Sequence, residues 1–542
     1  MKSCQRTSAR SSNPHGVTSL QKIENGPSSP GERLSRREAL ALLRAGAIAT
    51  LAKSSRLAAG ESAPSTNVSR DLHFLSLQEL ALQLESRSLS PVDVTRHLLD
   101  RIAKIDGYLK SYATLTPEQA LADARTAERE IRAGKYRGPL HGVPIGIKDL
   151  CYTRGIRTMG GTAVRKNFVP GFDATVVSKL RDAGAIVLGK LNLSEGAAAG
   201  YNPTFDVPLN PWNPDRWPGM SSSGSGVAVA AGLCFAAIGT DTGGSIRNPS
   251  SANGVVGLKP TYGRVSRYGV LVMAGSLDHV GPMARRVSDA AVMFDTIAGH
   301  DTKDPTSLPD SGERVLPQLR EGVRDMRIGI DRDYALKGID AGQASAIESA
   351  LRVLRDRGAQ IIQVKMPGVS NVVDIWQPIC AYEMAKAHAA TFPARANEYG
   401  PYLREFLESG QKVTADQLAT AHRAQKALTK ELDTLLDSVD AMASPAGGDP
   451  AWPITHAIQV GPLPAYHAAW SAAAPRSSEF TMPMDLAGVP AICLPCGFSP
   501  DGLPYSIQFT GRRLGEGTLF RIAYAYETAT EWQKRHPVVR PT

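Results

Sequence analysis

Three short stretches of the sequence place reactive side chains among small residues. Lys148 ends the apolar run "GVPIGIK" (142–148), a serine-rich turn reads "WPGMSSSGSG" (217–226), and Ser245 lies within "GTDTGGSIRNPSSANGVVGLKP" (239–260). A serine hydroxyl becomes a good nucleophile only when a neighbouring base takes its proton. A lysine can be such a base only when it is neutral, and burial favours its neutral form. The stretches could therefore surround one reactive hydroxyl, cradle a phosphate, or be plain turns.

None of the common motifs for linkers, phosphate binding or serine hydrolases explains these stretches. A lysine at a strand end is usually solvated and a Ser/Gly run is usually a linker, but this run leads straight into the apolar pattern "GVAVAAGLCFAAIG" (226–239), which a linker would not do. The GxxxxGK[ST] spacing of a phosphate-binding P-loop is absent from both glycine runs. The GxSxG elbow of α/β-hydrolases is also missing, since the order around Ser245 is Thr-Gly-Gly-Ser-Ile.

The elements around these stretches follow an alternating pattern. The apolar runs at 142–150, 184–193 and 233–241 predict strands, and "ATVVSKLRDAG" (174–184) and "SGVAVAAGL" (225–233) predict helices between them. Upstream, the helical spacing over 72–109 predicts two helices, the second starting at "SPVD", and 116–134 predicts another. This alternation predicts an α/β fold whose mixed or parallel sheet is covered by helices.

The basic charge of the chain is concentrated at its N-terminus. Of the net charge of +9 over 542 residues, +7 falls within residues 1–60, so the near-neutral remainder argues against a nucleic-acid partner. "SRREAL" (35–40) followed by "ALALLRAGAIATLA" (39–52) resembles a twin-arginine export signal, although Ala39 and Arg44 depart from the usual pattern. We expect a periplasmic protein, or a cytoplasmic one if the leader is a disordered tail with a short helix. No other stretch is long and apolar enough to span a bilayer.

Cofactor signals are weak throughout the sequence. Of six cysteines only "CLPC" (493–496) has a CxxC spacing, and "AICLPCGF" (491–498) is typical of a buried strand, which favours packing over redox chemistry. The 11 histidines form no HExxH or comparable cluster, and no dinucleotide fingerprint follows a strand. We therefore expect neither a metal nor an organic cofactor.

Taken together, the motifs resemble those of a known family. "GVPIGIKD" (142–149), "PGMSSSGSGVAVAAGL" (218–233) and "GTDTGGSIRNPSSANGVVGLKPTYGRVSRYGV" (239–270) are similar to the amidase signature family of fatty-acid amide hydrolases, bacterial amidases and the A subunit of glutamyl-tRNA amidotransferase. The likeness continues in "FTMPMDLAGVPAICLPCGF" (480–498) and covers most of residues 72–535. It implies one amidase signature domain over 72–535, built on a large mixed β-sheet with helices on both faces.

The resemblance also implies a catalytic triad for amide hydrolysis. It maps the nucleophile onto Ser245, a bridging serine on a cis peptide onto Ser221, and the base onto Lys148. The family's usual run is Gly-Gly-Ser-Ser-Gly-Gly-Ser, so Met220 and Ser223 replace glycines here. Met220 adds a side chain beside the expected cis bond and is a candidate to reach the substrate.

Supporting residues follow from the same comparison. Glycines let a backbone curl so that several N–H groups point at one developing oxyanion, and the expected donors here are Thr242, Gly243, Gly244 and Ser245. Asp241 and Arg247 are expected to brace this loop through buried hydrogen bonds, and Ser222 is expected to have a similar supporting role.

Two functions fit the resemblance. The first is a stand-alone amidase acting on a small carboxamide, anilide or carbamate, and the second is the glutamine-hydrolysing A subunit of a tRNA-dependent amidotransferase. The export-like leader favours the first, as does "APRSSEFTMPMDLAG" (474–488), which lacks an acid where one is expected to hold the glutamine ammonium group. The segment 370–478 is expected to form the acyl pocket, and its aromatic residues hint at an aromatic or apolar substrate: Trp376, Tyr382, Trp452, Tyr466 and Trp470. A homodimer is compatible with the resemblance.

Overall fold

One large sheet organises the part of the chain that the structure, a computed structural model, describes: residues 72–309 and 312–540. The export signal predicted within residues 1–60 lies outside this part. The eleven strands of the described residues are β1 (Tyr112–Leu115), β2 (Pro144–Lys148), β3 (Ile186–Leu191), β4 (Ala236–Asp241), β5 (Val256–Lys259), β6 (His279–Ala284), β7 (Arg327–Ile330), β8 (Gln360–Gln363), β9 (Ala441–Ser444), β10 (Ala491–Phe498) and β11 (Pro504–Thr510). Their order across the sheet is β1-β3-β2-β4-β6-β5-β10-β11-β9-β7-β8.

Sixteen α-helices accompany the sheet within the same residues. They are α1 (Leu77–Glu85), α2 (Pro91–Leu109), α3 (Pro117–Arg132), α4 (Thr175–Asp182), α5 (Ser223–Ala230), α6 (Arg247–Asn253), α7 (Val287–Ile297), α8 (Arg332–Leu336), α9 (Ala341–Asp356), α10 (Val372–Ala387), α11 (Pro401–Gln411), α12 (Ala415–Asp437), α13 (His456–Val460), α14 (Leu463–Ala473), α15 (Ser477–Ala487) and α16 (Glu516–Glu527).

The sheet is mixed and its centre is covered on both faces. Strand β2 is parallel to β3 and β4, whereas β6 is antiparallel to both β4 and β5. Successive side chains of a strand point to opposite faces, and every residue of β2, β3, β4, β5 and β6 is buried. The predicted α/β class with a large mixed sheet is therefore confirmed.

The local signals in the sequence correspond closely to these elements. The three predicted strands are β2, β3 and β4, and the helices predicted between them are α4 and α5. Ser90 caps α2 by accepting hydrogen bonds from the N–H groups of Val92 and Asp93, with Pro91 in the first turn. Ser76 caps α1 in a reciprocal capping box with Glu79. Apolar periodicity was thus sufficient to place the strands and helices around the reactive stretches, and caps marked the starts of α1 and α2.

The "CLPC" stretch lies in the sheet. It falls within β10, and both Cys493 and Cys496 are buried free thiols. Burial raises the pKa of Cys493 to about 12, which keeps the thiol protonated and unreactive. The packing role predicted from the sequence agrees with this placement.

None of the helices within residues 72–309 and 312–540 combines the length and the apolar composition that crossing a bilayer requires.

Candidate active site

Two neighbouring parallel strands bring the reactive stretches together. Ile147 of β2 lies opposite Ile238 of β4, so both strands end at the same edge of the sheet, β2 at Lys148 and β4 at Asp241. The serine-rich turn enters α5 and the glycine-rich loop after β4 enters α6. Ser221 and Ser245 lie just before these two helices, and the Ser222 N–H donates a hydrogen bond to the Ser245 carbonyl (3.2 Å). The fold therefore holds both serines beside the end of β2.

Lys148 is completely buried among hydroxyl groups. Its Nζ lies 2.8 Å from each of three oxygens, those of Ser221, Ser222 and Thr240. Burial disfavours the ammonium form and lowers the pKa of Lys148 to about 7, despite the carboxylates of Asp241 and Asp278 nearby. A large part of the lysine population is therefore neutral at neutral pH, and the neutral amine can accept a proton from a hydroxyl.

The two predicted catalytic serines share one cavity. Ser221 follows a cis peptide bond after Met220, as the sequence comparison predicted, and both of these residues line the cavity with Ser245. Ser221 is buried and hydrogen-bonded to Lys148, whereas Ser245 is partly exposed in the cavity. Among the described residues, no hydrogen bond joins the Ser221 and Ser245 hydroxyls. Catalytic hydrogen bonds are often long before substrate binds, so this geometry is compatible with a relay.

The glycine-rich loop curls around the carboxylate of Asp241. That carboxylate accepts hydrogen bonds from the N–H groups of Gly244, Ile246 and Arg247. The N–H of Gly244, one of the predicted oxyanion donors, thus donates to Asp241 in this structure. The backbone N–H groups of Thr242, Gly243 and Ser245 have no acceptor among the described residues and remain available to a ligand.

Arg247 anchors the loop to the rest of the sheet. Its guanidinium pairs with Asp241 (3.0 Å) and Asp485 (2.6 Å), and all three side chains are fully buried. It also donates to the Thr481 carbonyl and the Gln508 side chain. Burial alone would raise the pKa of Asp241, but the charge and hydrogen bonds of Arg247 outweigh it and hold the pKa well below its usual value. The loop therefore rests on a charged network that solvent does not reach.

Removal of this guanidinium is expected to destabilise the fold. Arg247→Met leaves two buried carboxylates without their partner, and breaking a buried ion pair in this way costs about 3–5 kcal/mol. The free energy of unfolding, measured by urea denaturation, should fall by that amount. The control is Arg96→Met, since the pair of Arg96 with Asp93 is exposed and such pairs contribute at most about 1 kcal/mol. Equal stability of the two variants would contradict a structural role for Arg247.

The wall of the cavity above the serines contains a cluster of aromatic side chains. Its volume is about 310 Å³, near the lower end for small-molecule sites. Five aromatic side chains line it: Trp376, Tyr402, Phe406, Tyr466 and Trp470. Tyr402 and Tyr466 meet edge to face at 4.8 Å, and Tyr466 stacks near Trp470 at 5.7 Å. Such a wall suits a small aromatic or apolar group.

The aromatic residues singled out in the sequence divide into two groups. Trp376, Tyr466 and Trp470 line the cavity, whereas Tyr382 and Trp452 are not among its lining residues. Trp452 is instead buried and stacked on Trp217, with ring centroids 4.1 Å apart. The segment 370–478 thus contributes three of its five predicted aromatic residues to the cavity.

One expectation about charge needs correction. The stretch before "FTMP" was expected to lack an acid for binding an ammonium group, yet Glu479 of this stretch lines the cavity. Its carboxylate pairs with Arg476 at 2.8 Å, and neither lysine nor arginine lines the cavity among the described residues. An acid is present, but it is already neutralised by its own neighbour.

Comparison with known proteins identifies the chain. The sequence model of the family described as Amidase matches residues 93–520. The chain belongs to the amidase signature family. It is 42% identical over 465 residues to the Mycobacterium tuberculosis protein named "Putative amidase AmiD", an alignment that covers 86% of this chain and 96% of that protein. It is 38% identical over 493 residues to the A subunit of the glutamyl-tRNA(Gln) amidotransferase of Chloroflexus aggregans, covering 86% and 99%.

A solved structure agrees with this assignment. The native peptide amidase from Stenotrophomonas maltophilia superposes with a TM-score of 0.75 at 32% identity, covering 86% of this chain and 99% of that one. The protein is therefore an amide-hydrolysing enzyme with the amidase signature fold.

Three residues of the candidate site escaped the sequence analysis. Thr240 is the third hydroxyl bonded to Lys148 Nζ. Tyr402 and Phe406 are the two further aromatic residues that line the cavity. Thr240 precedes Asp241 at the end of β4, and the pairing of β4 with β2 was the signal that could have revealed it. Tyr402 and Phe406 lie four residues apart on α11, a spacing that marks one helix face but does not say which cavity that face borders.

Metal ligands are not clustered in the described part of this amidase. Residues 72–309 and 312–540 contain no group of three or more His, Cys, Asp or Glu side chains placed to hold a metal ion.

Proposed function

We propose that the enzyme hydrolyses an uncharged carboxamide, or a related anilide or carbamate, through an acyl-enzyme on Ser245. The observation that carries this proposal is the 2.8 Å contact between Lys148 Nζ and the Oγ of Ser221, a residue that lines one cavity with Ser245. It supplies a buried base, a hydroxyl that can relay a proton, and an accessible hydroxyl in one place. These are the parts that an activated serine nucleophile requires.

The proton follows this chain of groups in the proposed reaction. Ser245 Oγ attacks the amide carbon and gives its proton to Ser221 Oγ, which passes its own proton to neutral Lys148. In the second step the proton returns through Ser221 to the amide nitrogen, the C–N bond breaks, and ammonia or an amine leaves. Amines leave poorly unless protonated, so the return of the proton is essential for amides. Water then attacks the acyl ester by the same route and releases the acid.

The developing negative oxygen is bound by backbone N–H groups. Thr242, Gly243 and Ser245 are the proposed donors, since the Gly244 N–H is bonded to Asp241. Donors held in place before the reaction stabilise the tetrahedral intermediate without a reorganisation cost. The buried network of Asp241 and Arg247 keeps this loop in position.

The cavity favours an uncharged substrate with an aromatic or apolar group. Trp376, Tyr466 and Trp470 offer apolar contact, and the pairing of Glu479 with Arg476 leaves little net charge in the wall. An amino acid such as glutamine carries both an ammonium and a carboxylate group, and burying these without partners is costly. The proposed substrate is therefore a small aromatic or aliphatic amide rather than glutamine.

A substrate panel tests this proposal on the purified chain of 542 residues. Benzamide, an anilide, an aliphatic amide, a carbamate and glutamine would be compared by kcat/KM. We expect the preferred uncharged amide to exceed glutamine by at least about tenfold, the difference that 1.4 kcal/mol of apolar contact produces. No hydrolysis of any amide would contradict the proposed function.

The second candidate function is glutamine hydrolysis as the A subunit of a tRNA-dependent amidotransferase. It is favoured by the 38% identity to such a protein over 99% of its length. Hydrolysis of glutamine alone in the same panel would favour this function over the first.

A further inference from the structure

Helix α10, which contributes to the wall of the cavity, is also hydrogen-bonded to the glycine-rich loop after β4. Trp376 of α10 donates a hydrogen bond from Nε1 to the Thr242 carbonyl at 2.8 Å. The indole ring of Trp376 also packs closely against Gly243. A Cβ atom added to Gly243 would lie only 3.2–3.3 Å from atoms of this ring. The indole thus contacts two consecutive residues of the loop while its side chain also lines the cavity.

A bond to the Thr242 carbonyl controls the direction of the following N–H. In a trans peptide the carbonyl and the N–H of one unit point in opposite directions, and the described residues have cis bonds only at Met220–Ser221 and Phe392–Pro393. Because the Thr242 carbonyl points toward Trp376 of α10, the Gly243 N–H of the same peptide unit points away from this helix. Glycine has no side chain that could restrict this peptide, so the restriction has to come from outside.

The next peptide unit is anchored in the same way. Thr481 of α15 donates from Oγ1 to the Gly243 carbonyl at 2.7 Å, and Asp241 accepts from the Gly244 N–H. The two peptide units that flank Gly243 are thus each held by a side chain distant in sequence. Between these anchors the Gly243 N–H has no acceptor among the described residues.

We propose that Trp376 is a positioning residue that orients the Gly243 N–H toward the developing oxyanion. Its N–H acts on the transition state through the loop, while its ring faces the substrate. Because α10 also presents Val372, Val373 and Gln377 to the cavity, the wall that contacts substrate and the loop that stabilises the oxyanion are one connected unit. This inference rests on the proposed function, since it needs an oxyanion at Ser245.

Trp376→Phe tests the inference because it keeps an aromatic ring and removes the N–H. We expect kcat to fall about 10- to 100-fold, as expected for a displaced oxyanion donor, while KM changes no more than in Trp470→Phe, which trims a ring of the same wall. A boronic acid that mimics the tetrahedral adduct should bind more weakly by the same factor as kcat. A merely structural role would not weaken this mimic selectively over the substrate.

Three further variants complete the test. Trp212→Phe removes an equivalent bond, from the indole to the Asn253 carbonyl (2.9 Å) at the far end of α6, and should leave kcat unchanged. Trp470→Phe trims a ring of the same cavity wall and should act mainly on KM. Thr481→Val removes the neighbouring anchor at nearly constant volume and should reproduce the loss of kcat, even if Trp376→Phe does not fold.

The outcomes separate this inference from the proposed function. Full kcat and unchanged boronic-acid affinity in folded Trp376→Phe, or in Thr481→Val where the former does not fold, would overturn the inference while wild-type hydrolysis stands. An equal loss in Trp212→Phe would also overturn it. A wild-type enzyme that hydrolyses no amide would overturn the proposed function and this inference together.

Discussion

Ser245→Ala is expected to lower kcat for the preferred amide by at least about 10³-fold and by up to about 10⁶-fold, the range found when a nucleophilic serine is removed. The hydroxyl lost is the partly exposed one that lines the cavity beside Thr242 and Gly243. Residual activity would come from the remaining binding groups and N–H donors alone. The measurement is the initial rate of ammonia or amine release at saturating substrate.

Ser250→Ala provides the matched control. Ser250 lies on α6 five residues after Ser245, is fully buried, and its hydroxyl has no hydrogen-bond partner within the described chain. It is not among the residues that line the cavity. We therefore expect Ser250→Ala to keep wild-type kcat and KM. If Ser245→Ala and Ser250→Ala were equally active, Ser245 would not be the nucleophile.

Lys148→Met is expected to lower kcat by about 10²- to 10⁴-fold and to remove a pH dependence. The proposed base is active in its neutral form, and burial lowers the pKa of Lys148 to about 7. Activity of the wild type should therefore be low at acidic pH and rise through a midpoint near pH 7 as the lysine loses its proton. The residual activity of Lys148→Met should lack this rise. The measurement is kcat/KM as a function of pH, which reports the free enzyme.

A second buried lysine supplies the comparison. Lys190 of β3 is also fully buried, but it donates to the Cys151 carbonyl and the Thr158 hydroxyl and lies 3.5 Å from Asp149, outside the cavity. Whatever its rate, Lys190→Met should keep the rise near pH 7. Persistence of that rise in Lys148→Met would assign it to another group and contradict the proposed base.

The local elements of this fold could be predicted because their signals are local. The apolar run before Lys148 and the Ser-Pro pair at 90–91 each identify an element without knowledge of its neighbours. The order of eleven strands could not be predicted in this way. Strand β6 inserts between β4 and β5, an arrangement that depends on contacts between distant residues, whereas periodicity reports only burial.

In the candidate site, too, local sequence patterns do not reveal contacts between residues that are distant in the chain. The positions of Lys148, Ser221 and Ser245 came from family motifs, and the structure places Ser221 and Ser245 in one cavity with Lys148 buried behind Ser221. The curl of the loop directs the Gly244 N–H at Asp241, a contact that the glycine pattern does not reveal. The bond from Trp376 to Thr242 spans 134 residues, and no local pattern could have indicated it.

Labelling with a fluorophosphonate tests the central claim most directly, because such reagents phosphonylate an activated serine in place of an acyl group. The protein would be treated, digested and mapped by mass spectrometry while amidase activity is followed. We predict one phosphonyl group on the peptide that contains Ser245, in proportion to the activity lost, with slower labelling in Lys148→Met. Loss of activity with the label on another residue, or complete labelling of Ser245 with activity retained, would contradict the account.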